Sequence, residues 1–286
     1  MAVRFIIDSA SDILPEEAKK LGMIHLPLKV LFGEQEYADA VNLTHAEFYE
    51  KLAQSENLPG TSQVGPADFA DAYEKVTAAG DTAVAVTLSS KLSGTYQSAM
   101  IAAEDYEGKV FVVDSLNATI GERILVMKGL EYASAGLTAE QIKEKLDQDK
   151  HRIRLAAIVD TLEYLKKGGR VSSTVAFVGG LLSIKPLIAV EDGKVEVTGK
   201  ARGMKQAQSQ LNENLSKYNG INVKEPFGFV YSGGSDEYVK KYLAENPQLC
   251  VGWNQEIPVH SVGCTIGTHV GPGAIGVAFF EAESTI

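Results

Sequence analysis

Three short apolar runs in the first half of the chain constrain its fold most. RFIID (4–8), TAVAVTL (82–88) and KVFVVDS (109–115) each precede a small-residue turn and then a helical pattern. Strand, turn and helix in that alternation build βαβ units, and such units pair their strands in parallel. The helical stretches carry their own start signals. Thr44 stands three residues before Glu47 in LTHAEFYEKLAQS, the spacing of a capping box. Pro15 opens PEEAKKLG, and Pro66 opens PADFADAYEKVTAAG at the first helical position, where a missing N–H costs nothing. TYQSAMIAAEDYEG and ERILVMKGLEYASAG read as further helices, and HLPLKVLFG as another strand.

The second half changes style. Asp192-Gly193 lies between two strand-like runs in KPLIAVEDGKVEVTGKAR, which predicts a hairpin. AAIVDTLEYLKKGGR reads as a strand and short helix, MKQAQSQLNENLSKY as a polar amphipathic helix, FGFVYSGG as a strand and SDEYVKKYLAEN as a helix. PVHSVG and AIGVAFF close the chain as strands on either side of a glycine loop. Hairpins among single strands predict a mixed α+β sheet. At 286 residues the chain favours two domains. The reading is α/β throughout: residues 1–152 form a Rossmann-like domain with a parallel sheet, and residues 153–286 a domain with a mixed sheet. The charged stretch LTAEQIKEKLDQDKHRIR bridges them.

Composition excludes several functions. The net charge is −10 and no basic stripe is present, so the chain lacks what a nucleic-acid binder uses to release counterions from phosphates. The same acidity disfavours resting on an anionic membrane. The most apolar segment, Val175 to Val190, is broken by Lys185 and Pro186 well short of a span. It reads as a buried helical turn followed by a strand. The N-terminus MAVRFIIDSASD reads as a first strand rather than a leader, so a soluble, cytoplasmic protein is expected. Cys250 and Cys264, without metal-ligand spacing, are expected to be a reduced pair.

Ligands of open parallel sheets bind beyond the carboxyl ends of the strands, where helix N-termini point. Four hydroxyl- or glycine-rich turns occupy such places: Ser9 to Asp12, Thr61 to Gln63, Ser89 to Thr95, and Ser115 to Gly121. A helix N-terminus presents unpaired N–H groups and a partial positive charge, which suits an anion. Ser93-Gly94-Thr95 adds a hydroxyl, a backbone open to close approach, and a cap. Each turn taken alone is equally explained as a cap or turn former. His269, held in the glycine-bounded stretch GTHVGPG, is a candidate site residue, while His25, His45, His151 and His260 read as packing or surface residues. The basic groups around Arg170 (Lys166-Lys167-Gly-Gly-Arg170) and Arg202 (Lys200 to Lys205) read, on their own, as solvated charge. The sequence lacks the G-x-S-x-G elbow, the G-x-G-x-x-G and phosphate-loop frames, and any metal-ligand cluster.

In order, IIDSASD, TSQVGPADF, LSSKLSGTYQSA, VVDS, TLEYLKKGGRVS, KPL and GTHVGPGAIGVAF resemble the DegV family over essentially the whole chain. The resemblance implies a bacterial fatty-acid-binding protein, and for some members the carrier subunit of a two-part, ATP-dependent fatty acid kinase. It implies two α/β domains with the acyl chain between them. The carboxylate would be bound by the Thr61-Ser62 turn, by Ser93 with Gly94 and Thr95, and by His269. Arg170 would join the head-group network, and Arg202 would be presented to the kinase. No cofactor or metal is implied, only a bound long-chain fatty acid such as palmitate or oleate, with no stable insertion into a membrane. Two departures stand out: Val64-Gly65 replaces a Pro-Ser common in relatives, and Arg123 replaces the second glycine of the pattern after VVDS.

The physics fits that implication. Burying the methylenes of palmitate gains about 11 kcal/mol from water, but a membrane offers nearly the same per methylene. Selection therefore falls to the shape of the tunnel and to head-group donors, whose charge-assisted bonds are worth about 1.5 to 3 kcal/mol each. The expected function is binding a fatty acid and presenting its carboxylate to a kinase for acyl-phosphate formation. The alternatives are a lipid carrier without a kinase, and a hydrolase-type enzyme with Ser93 as nucleophile and His269 as base, to which the missing elbow and third triad member are adverse.

Overall fold

The computed structural model describes residues 2–171 and 183–281. Its first half runs β1 (Val3–Asp8), α1 (Pro15–Lys20), β2 (Ile24–Leu26), β3 (Lys29–Phe32), β4 (Gln35–Ala38), α2 (His45–Gln54) and β5 (Gly60–Ser62). It continues with α3 (Pro66–Ala78), β6 (Thr82–Thr87), α4 (Thr95–Ala103), β7 (Val110–Asp114), α5 (Thr119–Ser134) and α6 (Ala139–Asp149). The second half comprises β8 (Ile153–Ile158), α7 (Glu163–Lys167), β9 (Ile184–Glu191), β10 (Lys194–Arg202) and α8 (Met204–Ser216). It closes with β11 (Phe227–Tyr231), α9 (Glu237–Glu245), β12 (Val259–Ser261), α10 (Cys264–Val270) and β13 (Ile275–Phe280). The helical turn expected just before β9, over residues 175–182, lies outside the described residues.

The fold is α/β, with a parallel sheet in the N-terminal region and a mixed sheet in the C-terminal region. β2, β1, β6 and β7 pair in that order, and all pairs are parallel, the one feature of this sheet that the apolar runs predict. β6 is buried along its whole length, as a central strand covered on both faces must be. The second sheet has the order β10-β9-β8-β13-β11-β12, antiparallel except for the β11–β12 pair. Asp192 (φ 47°) and Gly193 (φ 82°) form the predicted hairpin turn, both in the left-handed region that a two-residue primed turn requires. The tip of that hairpin reaches the other half of the molecule, where Ser89 Oγ donates to the Gly193 carbonyl at 2.7 Å.

The structure corrects three sequence expectations. HLPLKVLFG is two strands, because Pro27 has no N–H for a ladder and interrupts it there. β2 stays in the parallel sheet, while β3 joins a small antiparallel sheet of order β4-β3-β5 that sequence reading missed. The Thr61 turn is therefore a strand: Val30 pairs with Thr61, which leaves the Thr61 side chain on a rigid surface. His269 lies on α10, not in a glycine loop. Gly271 (φ 72°) ends that helix at a place where a Cβ would collide with the Tyr164 ring.

α5 carries no single apolar face because both of its sides are covered. Phe5, Val84 and Val86 of the first sheet, α5 residues Ile120, Ile124 and Leu125, and Leu155, Val230 and Phe280 of the second sheet share one core. A seam of buried carboxylates runs beside this helix. Asp8 accepts from the N–H groups of Ala10 and Leu88, and burial pushes its carboxyl up to about 7. Asp12 accepts from Gly263 N–H at 2.8 Å and from the Thr119 hydroxyl, and burial likewise raises it to about 7. Asp39, fully buried, accepts from Cys264 N–H at 3.0 Å, from Thr265 N–H at 2.9 Å and from Ser9 Oγ at 3.3 Å. The start of α10 is thus tied to two carboxylates of the N-terminal half.

This tie predicts a stability effect far from any cavity. Asp39→Ala leaves two buried N–H groups without an acceptor and should cost about 2 to 4 kcal/mol in urea unfolding. Asp39→Asn keeps one acceptor oxygen and should lose about half as much. Unfolding of Asp39→Ala at the wild-type midpoint would rule out this anchoring.

Candidate ligand cavity between the two sheets

A cavity of about 280 Å³ lies where the two sheets and α10 meet. Leu155, Ala157, Ile188, Val190, Val230 and Val262 make its apolar floor. Its volume is at the small end of ordinary ligand pockets. Thr61, Gln63, Ser93, Gly94, Arg170 and His269 make a polar mouth.

Contacts tie the mouth into one ring. The Thr61 hydroxyl and His269 Nε2 are 2.9 Å apart. On its other side the imidazole lies against Gly168, whose missing side chain leaves room for Nδ1. Arg170 reaches back from the turn after α7, donating through Nη1 to the Gly168 carbonyl at 2.6 Å and through Nε to the Leu92 carbonyl at 3.2 Å. Ser93 follows Leu92 in sequence, and Gly94 is the N-cap of α4. Gln63 Nε2 closes the ring by donating to the Gly94 carbonyl at 3.4 Å and to Ser98 Oγ at 2.7 Å. A Cβ at position 94 would meet the Gln63 amide, so a side chain there would require Gln63 to give up its present place in the ring.

The mouth suits an anion. The α4 N-terminus points its N–H groups there, and Arg170 adds a full positive charge in a chain of net charge −10. Burial, with the Arg170 charge as a second cause, lowers the His269 imidazole from 6.5 to about 4. The ring is therefore neutral at physiological pH and carries one N–H donor. Its Nδ1 is buried without a hydrogen-bond partner among the described residues.

The structure brings Thr61, Ser62, Ser93, Gly94, Arg170 and His269 to this mouth. Thr95 does not line the cavity. It is fully buried behind Ser93, its hydroxyl 3.0 Å from Ser93 Oγ and its N–H donating to that same oxygen at 3.3 Å. Arg202 is exposed at the end of β10, away from the cavity. Arg123 also points elsewhere, giving hydrogen bonds to the Asp12 carbonyl and to Glu17, so Thr119 rather than the substituted position forms the wall. Ser93 pairs with Thr95 and His269 with Thr61, so the Ser93–His269 pair that acyl transfer would use is not assembled. Asp39 escaped sequence reading, as did the particular roles of Gln63, of Gly168 and of Asp12 at the end of the Ser9 turn. Gln63 sat in a turn already singled out, but a lone aspartate in EYADA gives no local sign that it caps a helix 225 residues away. Among the described residues, no three His, Cys, Asp or Glu side chains converge as metal ligands, and no helix is long and apolar enough to cross a membrane.

A family model described as "Uncharacterised protein, DegV family" matches residues 2–282. A DegV domain-containing protein of Deinococcus radiodurans is 36% identical over 278 residues, covering 97% of this chain and 98% of the relative. A solved DegV family protein of Thermus thermophilus, described by its fatty acid binding, superposes with a TM-score of 0.86 at 31% identity, covering 99% and 100% of the two chains. A stearic acid-binding protein of Eubacterium ventriosum superposes with a TM-score of 0.82 at 28% identity over the full length of both.

The buried imidazole gives a direct test of the mouth. His269 should titrate by NMR with a midpoint near 4, whereas the unfolded chain takes up that proton near 6.5. Native protein resists a proton that unfolded protein accepts, so this residue's contribution to stability is complete above about 6.5 and is lost as the pH falls toward 4. A midpoint at or above 6 would mean that the ring is solvated rather than held between Thr61 and Gly168.

Proposed function

The chain belongs to the DegV family, and from that premise we propose that it binds a long-chain fatty acid, with the tail in the apolar cavity and the carboxylate at the mouth. One observation carries the reading: a mostly apolar floor ends in a ring of hydroxyl, imidazole and guanidinium groups. Each end answers one part of an amphiphile. Below the mouth the lining is mostly aliphatic, with Thr119 and Thr265 its only hydroxyl-bearing residues, which is little for a sugar or nucleotide, and the mouth offers donors that a purely apolar ligand would leave unmatched.

The roles divide as follows. Ser93 and the Gly94 backbone, with Thr61 and Ser62, hold the carboxylate oxygens. His269 donates as a neutral imidazole, and Arg170 supplies the positive charge. Thr95 orients the Ser93 hydroxyl from behind. Residues 1–152 and 153–286 act as two domains closing on the ligand. The chain catalyses nothing by itself. It presents the carboxylate to a separate ATP-dependent kinase for acyl-phosphate formation, and Arg202, exposed and outside the ring, docks that partner.

Delipidated protein should bind palmitate or oleate at one per chain. Loss of two head-group bonds in Ser93→Ala/His269→Ala should weaken that binding about ten- to a hundredfold by calorimetry. A bound carboxylate should also raise the His269 midpoint, so affinity should increase as the pH falls through the interval between the free and bound values. Unchanged affinity in the double variant would remove these residues from the head-group role.

Arg202→Glu should leave fatty-acid affinity unaltered and reduce acyl-phosphate formation by a partner kinase at least about tenfold. Equal turnover of wild type and variant would take Arg202 out of the docking role.

A further inference from the structure

The floor of the cavity is thin at one place. A second cavity, of about 370 Å³, lies beyond it between the second sheet, α8 and the loop before α5. Among the described residues, Leu155 and Val190 are the two that line both spaces. They are cross-strand partners on β8 and β9 and form the last pair of that ladder. The preceding pair on the same face, Ala157 with Ile188, also lines the first cavity and clusters with Leu92 and Leu165 near the mouth. Leu155 lies two residues further along the strand, about 7 Å deeper. The order from the mouth inward is therefore Leu92 and Leu165, then Ala157 and Ile188, then Leu155 and Val190.

We propose that the Leu155–Val190 pair is the end wall of the acyl site and sets the longest tail the protein accepts. This inference rests on the fatty-acid reading of the cavity. The space beyond the wall is of mixed character. Ile153, two residues beyond Leu155 on the same face of β8, lines it together with Leu116, while Ala156, Ala189 and Phe279 line it from the opposite face of the sheet, and Arg154 and Asp192 bring charge. A tail that outgrows the first cavity must displace the Leu155 side chain and then meet charged groups, so affinity stops rising with length at this wall. A shorter side chain at 155 or 190 joins the first cavity to the Leu116 and Ile153 side of the second and gives the tail room to continue.

The test is a displacement titration of the delipidated full-length protein with the saturated acids from laurate to arachidate. For wild type, affinity should climb about fourfold per methylene and then break at one chain length. In Leu155→Ala the break should move to acids about two methylenes longer. Val190→Ala should move it the same way, so the reading survives if one variant fails to fold. A folded Leu155→Ala or Val190→Ala protein that binds the acids with the wild-type break overturns the end wall while leaving the fatty-acid reading intact. Wild-type protein that binds none of the acids overturns both.

Discussion

The N–H groups of Cys264 and Thr265, at the start of α10, end on one buried carboxylate, that of Asp39, and the geometry of the site follows from this contact. α10 comes from the C-terminal half of the chain and Asp39 from the N-terminal half. Their bonds, with that from Gly263 to Asp12, hold the helix against β3, β5 and α2. The helix in turn sets His269 opposite Thr61, which with the Arg170–Leu92 hydrogen bond joins the two halves at the cavity mouth. The anchor is strong for an ordinary reason. A helix start leaves N–H groups without partners, and burying them without acceptors would cost more than most single contacts gain.

The cavity divides its work between two kinds of force. Its floor is aliphatic and non-directional, and it discriminates poorly between one apolar tail and another except by length and shape. Its mouth is directional. Hydroxyl, imidazole and guanidinium groups stand at fixed positions because each is engaged by a neighbour: Ser93 by Thr95, His269 by Thr61, and Arg170 by the carbonyls of Leu92 and Gly168. The low affinity of His269 for a proton belongs to the same arrangement, since burial at the mouth desolvates the imidazole and the Arg170 charge lies nearby.

Much of this was legible in the sequence. The parallel pairing of β1, β6 and β7, the capping box at Thr44, the prolines that open α1 and α3, and the Asp192-Gly193 turn all follow from local signals, and the structure contains each of them. The hydroxyl-rich turn at Ser93 was visible for the same reason, as a loop between a buried strand and a helix. Local signals failed where partners were distant. Gly60 to Ser62 looked like a turn because three residues carry too little pattern to announce a strand, and only pairing with β3 makes them one. His269 looked like part of a glycine loop because the acceptors that start its helix, Asp12 and Asp39, lie more than two hundred residues away.

By itself, then, the sequence determined most of the strands and helices, the parallel character of the first sheet, and the supply of small donors at the strand ends. Periodicity, caps and turn residues act over a few positions, so they are written locally. Tertiary structure alone decided that Thr61, Ser93, Arg170 and His269 share one mouth, that Thr95 stands behind it, and that Leu155 and Val190 line both cavities. Those placements depend on burial and on hydrogen bonds between segments remote in the chain, and no short stretch encodes the partner it will meet.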